Sequence, residues 1–60
     1  MKKPIFIISV RMGCTYYLKE IGEDGEMYFS ERIKDALTFD SLEDAEEAAA
    51  DLEDYKIYML

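Results

Sequence analysis

The chain contains no histidine and no tryptophan, and it has one cysteine, one proline and three glycines among its 60 residues. Each scarcity excludes something. Without histidine there is no Ser-His or Cys-His nucleophile pair, and the commonest general base and metal ligand is missing. A lone Cys14 cannot close an intramolecular disulfide, whereas small secreted domains are usually held by several. There is no Gly-rich phosphate loop, no CxxC pair and no low-complexity tract. Long apolar runs are lacking too. Ile5-Phe6-Ile7-Ile8 follows Met1-Lys2-Lys3-Pro4 in the manner of a leader, but the run stops at Ser9 and Arg11 follows. That is too short for a signal core or a membrane span. The expectation is a cytoplasmic protein with no membrane association.

Basic residues are scarce in one half only. Residues 1–34 hold six bases and five acids, while residues 35–60 hold nine acids and the single base Lys56. The net charge is −7. Half of the residues are hydrophobic, which is enough for one thin core in a single domain spanning 1–60.

Pattern and punctuation give the order β-β-β-α-β. Residues 5–12 are rich in β-branched side chains and follow Pro4, where a missing N–H matters least. Gly13-Cys14 reads as a turn, and residues 15–21 as a second strand. Asp24-Gly25 is a strong hairpin signal, so residues 26–33 form a third strand. Ala36, Leu37 and Phe39 anchor the connection that follows. Ser41 is a helix N-cap with Asp44 three residues on. Leu42, Ala45, Ala48, Ala49 and Leu52 then form one stripe of a helix running to about residue 54. Residues 55–60 alternate as a last strand. The fold class is α+β: a three-stranded antiparallel meander, one helix on one face, and a short C-terminal strand. The crossover rule places that strand parallel to the third and beside the first.

A two-residue loop at Asp24-Gly25 sets Leu18 opposite Glu31 and Tyr16 opposite Ile33. One face then carries Phe6, Ile8, Val10, Met12, Tyr16, Leu18, Met27, Phe29 and Ile33 and belongs under the helix, although Glu20 and Glu31 also fall on it. The other face carries Arg11, Tyr17, Lys19, Ile21, Tyr28, Ser30, Arg32, Lys56 and Tyr58, with four cations and no acid. Ile5 and Ile7 share this face and could pack on a second copy.

Two candidate surfaces follow. The first is an acidic helix face of Glu43, Glu46, Glu47, Asp51 and Asp54, flanked by Asp44. Like charges at i, i+4 spacing destabilise a helix by about 0.2–0.5 kcal/mol per pair. Carboxylates at the helix C-terminus also oppose the macrodipole. The face reads either as a solvated surface that keeps a small protein dissolved or as a docking surface for a basic protein partner. The second is a sheet face of Tyr17, Lys19, Tyr28, Arg32 and Tyr58. It reads either as an ordinary exposed sheet or as a stacking platform for single-stranded nucleic acid, a partner that the net charge disfavours. Glu23-Asp24-Gly25-Glu26 lacks the calcium-loop pattern. No catalytic residue, metal site or cofactor is indicated, and the expectation is a binding protein, not an enzyme; a homodimer and a structural assembly part that pairs through a sheet edge are the further alternatives.

The segment Ala36-Leu37-Thr38-Phe39-Asp40-Ser41-Leu42-Glu43-Asp44-Ala45 resembles the A-x-x-F-x-[ST]-x-E-x-A stretch of small uncharacterised β-β-β-α-β proteins of phages, prophages and mobile elements. The Tyr16-Tyr17-Leu18 strand and its Asp-Gly turn are similar as well. The resemblance implies a context in which small acidic proteins inhibit host machinery, some by imitating the charge of nucleic acid. It carries no catalytic residues.

Overall fold

The computed structural model describes residues 3–60; Met1 and Lys2, which open the leader-like run, lie outside them. Four strands form one sheet in the order β3-β2-β1-β4. They are β1 (Phe6–Met12), β2 (Cys14–Ile21), β3 (Met27–Ser30) and β4 (Tyr55–Met59). A 3-10 turn at Ile33–Asp35 and the helix α1 (Leu42–Ala48) lie between β3 and β4. Every pairing is antiparallel.

β1 is central, and Ile7, Ile8, Ser9 and Val10 are all buried. Gly13, with φ 79°, turns the chain so tightly that Cys14 is already paired with Met12. The next hairpin departs from expectation. Gly25 has φ 85°, its N–H donates to Gly22 O at 3.0 Å, and Gly22 N–H donates to Glu26 O at 2.7 Å. The loop is therefore Glu23-Asp24-Gly25, a turn followed by one left-handed residue. A bulge between Leu18 and Glu20 shifts the register once more. Leu18 consequently faces Phe29 instead of Glu31, and Tyr17 faces Ser30. The two shifts remove both misplaced acids from the core face. Glu31 lies beyond the end of β3, and Glu20 pairs with Tyr28 on the other side. Ile21 changes sides too, since it pairs with Met27, which packs on the core.

β3 ends three residues earlier than its pattern suggests. Ser30 Oγ accepts from Arg32 N–H and donates to Asp35 Oδ2, both at 3.1 Å, which folds the chain into the 3-10 turn. Ile33, expected in the core, is 50% exposed there. The chain then re-enters the sheet. Leu37 N–H donates to Leu18 O at 2.7 Å, and Phe39 and Phe6 exchange two hydrogen bonds at 2.9 Å. Residues 37–39 thus occupy the gap where β1 and β2 part. Phe39 runs antiparallel to β1, and so does β4 on the opposite side. β4 lies beside β1 as expected but is antiparallel to β3 in direction, because the crossover starts from Phe39 and not from β3.

Ser41 caps α1, its Oγ accepting from Asp44 N–H at 3.1 Å. The helix ends at Ala48 and not near residue 54. Ala50 N–H and Leu52 N–H bond three residues back, and Asp54 is left-handed with φ 49°. No basic side chain stands in the last turn to favour continuation, and Tyr55 must return to face Val10. Leu42, expected on the buried stripe, is 46% exposed. Ala45 and Ala49 are fully buried with Ile8 and Leu18, and Phe6, Met27, Phe29, Leu37, Phe39, Ala48, Leu52 and Ile57 pack around them. Ile7 is also fully buried, although alternation points it away from α1. It therefore offers no surface to a second copy. Met12, at the end of β1, is 59% exposed instead of buried.

So few large side chains are fully buried that each one matters. Leu18→Ala or Ile8→Ala is expected to cost about 2–5 kcal/mol, comparable with the roughly 3–5 kcal/mol that a core of this size supplies. Urea titration followed by circular dichroism should find both variants largely unfolded in dilute buffer. Ile33→Ala, on an exposed turn, should shift stability by less than about 0.5 kcal/mol.

Candidate functional site

The acidic surface is wider than the sequence pattern suggests and is divided in two. Glu43, Glu46 and Glu47 lie on α1 and are exposed. Glu46 and Glu47 lie three and four residues beyond Glu43, so both are its neighbours on the helix surface. Asp51 and Asp54 do not continue this helix face, because the helix has already ended. They stand in the turn between α1 and β4, also exposed. Asp40, Asp44 and Glu53 belong with them, as each is exposed within the same stretch. Eight carboxylates (Asp40, Glu43, Asp44, Glu46, Glu47, Asp51, Glu53 and Asp54) therefore face solvent between residues 40 and 54, with no Lys or Arg among them. Charge counting alone would have found Asp40 and Glu53; their exposure could be seen only once the helix was known to be short.

The turn half of this surface has relief. Val10, Met12, Phe29 and Leu52 contribute apolar lining to an open concavity of about 310 Å3, with Asp51, Glu53, Asp54 and Arg11 completing its wall. A second open concavity of about 530 Å3 lies along Ser9, Arg11, Thr15, Asp54, Lys56 and Tyr58. Asp54 and Arg11 border both.

The sheet-face alternative is spread over three strands and the turn after β3. Tyr17 is half-buried and sits between Ser9 and Ser30. Tyr28 is on edge strand β3 and Tyr58 on edge strand β4. Three strand spacings, about 14 Å, separate those two tyrosines. Lys19 is the residue at the bulge, and Arg32 lies beyond β3 at the start of the 3-10 turn. Nor is the face free of acid. Tyr28 Oη donates to Glu26 Oε2 at 2.9 Å, and Glu20 is its cross-strand partner. The bond to Glu26 holds the phenol above its ordinary pKa, with desolvation and the charge of Glu20 adding to the effect. Tyr17, Tyr28 and Tyr58 share one sheet face, with Lys19 at the bulge, Arg32 at the turn after β3, and Glu20 and Glu26 beside Tyr28.

Among the described residues, no group of three or more His, Cys, Asp or Glu side chains is placed to hold a metal ion. Cys14 is exposed and free. No described helix is long and apolar enough to cross a membrane.

Two predictions test this geometry. Asp54→Gly should be neutral or stabilising by up to about 1 kcal/mol, whereas Asp54→Val should lose about 1–2 kcal/mol, since a β-carbon opposes left-handed backbone; urea midpoints give both values. Glu26→Ala should lower the Tyr28 pKa toward its ordinary value, read from the phenolate absorbance of a variant series in which Tyr28 is identified by its loss in Tyr28→Phe. An unchanged value would mean that Glu26 does not hold the phenol in solution.

No family model, curated protein or solved structure matches the chain.

Proposed function

We propose that this protein is a small binding protein that docks its acidic surface on a basic, nucleic-acid-handling protein and inhibits or modulates it. The observation that carries the reading is the run of eight exposed carboxylates between residues 40 and 54 with no base among them. A helix under selection for stability alone would mix its charges, because like charges one turn apart destabilise it. Here Glu43 and Glu47 repel each other and the last turn has no cation to meet the macrodipole. Rows of carboxylates approximate the charge of a phosphate backbone, and such a surface speeds encounter with a basic cleft.

The concavity beside Asp51 and Asp54 gives the surface a specific element. Its apolar lining, with three acids against the single cation Arg11 on the wall, suits a long basic side chain, whose stem packs on Phe29 and Leu52 while its charged head meets the carboxylates. The resemblance of residues 36–45 to small phage and mobile-element proteins supplies the context, a host cell whose nucleic-acid machinery is the target. The absence of histidine favours binding over catalysis.

The test is a pull-down from lysate of a plausible host, with the protein immobilised and a salt step for elution. A basic nucleic-acid-binding protein should be released by salt, because the attraction is screened by ions. Glu43→Lys with Glu47→Lys should abolish capture and leave the fold intact or slightly more stable. Asp51→Asn with Asp54→Asn should weaken capture by about tenfold, the loss of one charge-assisted contact. Capture that survives the Glu43/Glu47 reversal would refute the acidic-face reading.

A further inference from the structure

Strand β4 forms one edge of the sheet, and among the described residues no strand pairs on its outer side. The direction of its backbone groups follows from the ladder. Leu60 N–H donates to Ile5 O at 2.8 Å, and the same register runs unbroken from Phe6↔Met59 to Val10↔Tyr55. Bonded and non-bonded pairs alternate in an antiparallel ladder. Lys56, Tyr58 and Leu60 therefore direct N–H and C=O toward β1, and Tyr55, Ile57 and Met59 direct theirs outward. β1 has the matching phase: Phe6, opposite Met59, gives both its groups to Phe39 on its other side.

This edge differs from the rest of the C-terminal half. Residues 35–54 hold nine acids, but residues 55–60 hold none, with Lys56 as their one charge. Tyr55, Tyr58, Met59 and Leu60 are 37%, 46%, 66% and 59% exposed, a concentration of large apolar side chains on six consecutive residues. Of the usual guards of an edge, β4 has neither a proline nor a bulge, and Lys56 is its one charged side chain.

We infer that β4 is a self-association edge, where a second copy of this chain lays its own β4 antiparallel and extends the sheet across a two-fold axis. One register uses every outward group of both strands. Ile57 faces Ile57 of the second copy and Tyr55 faces Met59, three bonded pairs giving about six hydrogen bonds. In that register Lys56 stands beside Tyr58 of the second copy, an ammonium against a phenol ring, and never meets another Lys56. Tyr55, Ile57 and Met59 extend the apolar side of the sheet across the axis. The register selects the occupant: the paired residues carry no acid, and Lys56 meets Tyr58 of the second copy and not another cation, while the −7 on each molecule opposes the approach until salt screens it. The inference does not rest on the acidic docking surface, and salt separates the two. Screening weakens an acidic face on a basic partner, but it strengthens the pairing of two acidic copies.

Sedimentation equilibrium of the whole chain over a wide concentration range, at low and high salt, tests the assembly. Amide hydrogen exchange by NMR on the same samples tests the site. The mass should rise from 7.0 kDa toward twice that value, and more readily at high salt. The amides of Tyr55, Ile57 and Met59 should exchange freely when dilute and become protected when concentrated. Met59→Pro removes an outward donor and no β1 bond, and should raise the dissociation constant by about tenfold or more, as symmetry removes two hydrogen bonds. Met59→Glu, which leaves the backbone untouched, should have the same effect if the proline variant does not fold. A monomer at every concentration and salt would overturn the inference. So would a dimer whose Tyr55, Ile57 and Met59 amides stay unprotected, or a chain that stays monomeric while an added extended peptide protects those amides.

Discussion

The two hydrogen bonds between Phe6 and Phe39 hold the connection after β3 inside the sheet, and the path of the rest of the chain depends on them. β1 and β2 are paired as far as Ser9 and Tyr17 and then part. Residues 37–39 fill the opening, bonded to Leu18 on one side and Phe6 on the other. This satisfies backbone groups that would otherwise be left unpaired beside the core, where each costs about 1–3 kcal/mol. It also fixes direction. Phe39 and β4 run the same way on opposite sides of β1, so α1 has to carry the chain back across the sheet. The crossing can lie close over Ile8 and Leu18 because the residues it buries are Ala45 and Ala49.

Much of this was legible in the sequence, in proportion to how local its cause was. The strands, the Ser41 cap and the core role of Phe6, Ile8, Leu18 and Phe29 follow from period-two and period-3.6 patterning. The hairpin register did not follow. Gly25 serves the left-handed position in a two-residue and a three-residue loop alike, and no residue type marks Lys19 as a bulge. The resulting error put Glu31 opposite Leu18 and left Glu20 on the core side. The helix looked longer because Ala49, Ala50 and Leu52 continue its apolar stripe, whereas its true end is set by the need to bring Tyr55 back to Val10. The direction of β4 hung on a bridge at one residue, Phe39, which is too short to carry a periodic signal. Of the candidate site, the acids were plain from composition, and their separation into a helix group and a turn group was not.

The border between Asp54 and Tyr55 divides the molecule by chemistry. On one side the chain is strongly acidic and exposed. On the other it is an apolar strand with unpaired backbone groups. Asp54 joins them in left-handed backbone, a conformation that Asp tolerates better than most residues. The same residue walls both concavities, so the turn that stops the helix also shapes the ground around it.

The strand order has a kinetic side. β4 pairs with β1, so the contact that completes the central strand joins residues separated by most of the chain's length. The β1–β2 and β2–β3 hairpins close over short loops and can form early. Until β4 arrives, β1 keeps one edge open and Ile7 lacks Tyr58 beside it. Non-local pairing of this kind slows folding relative to local contacts. As the chain is synthesised, the residues of β1, β2 and β3 therefore emerge before the strand that completes their sheet.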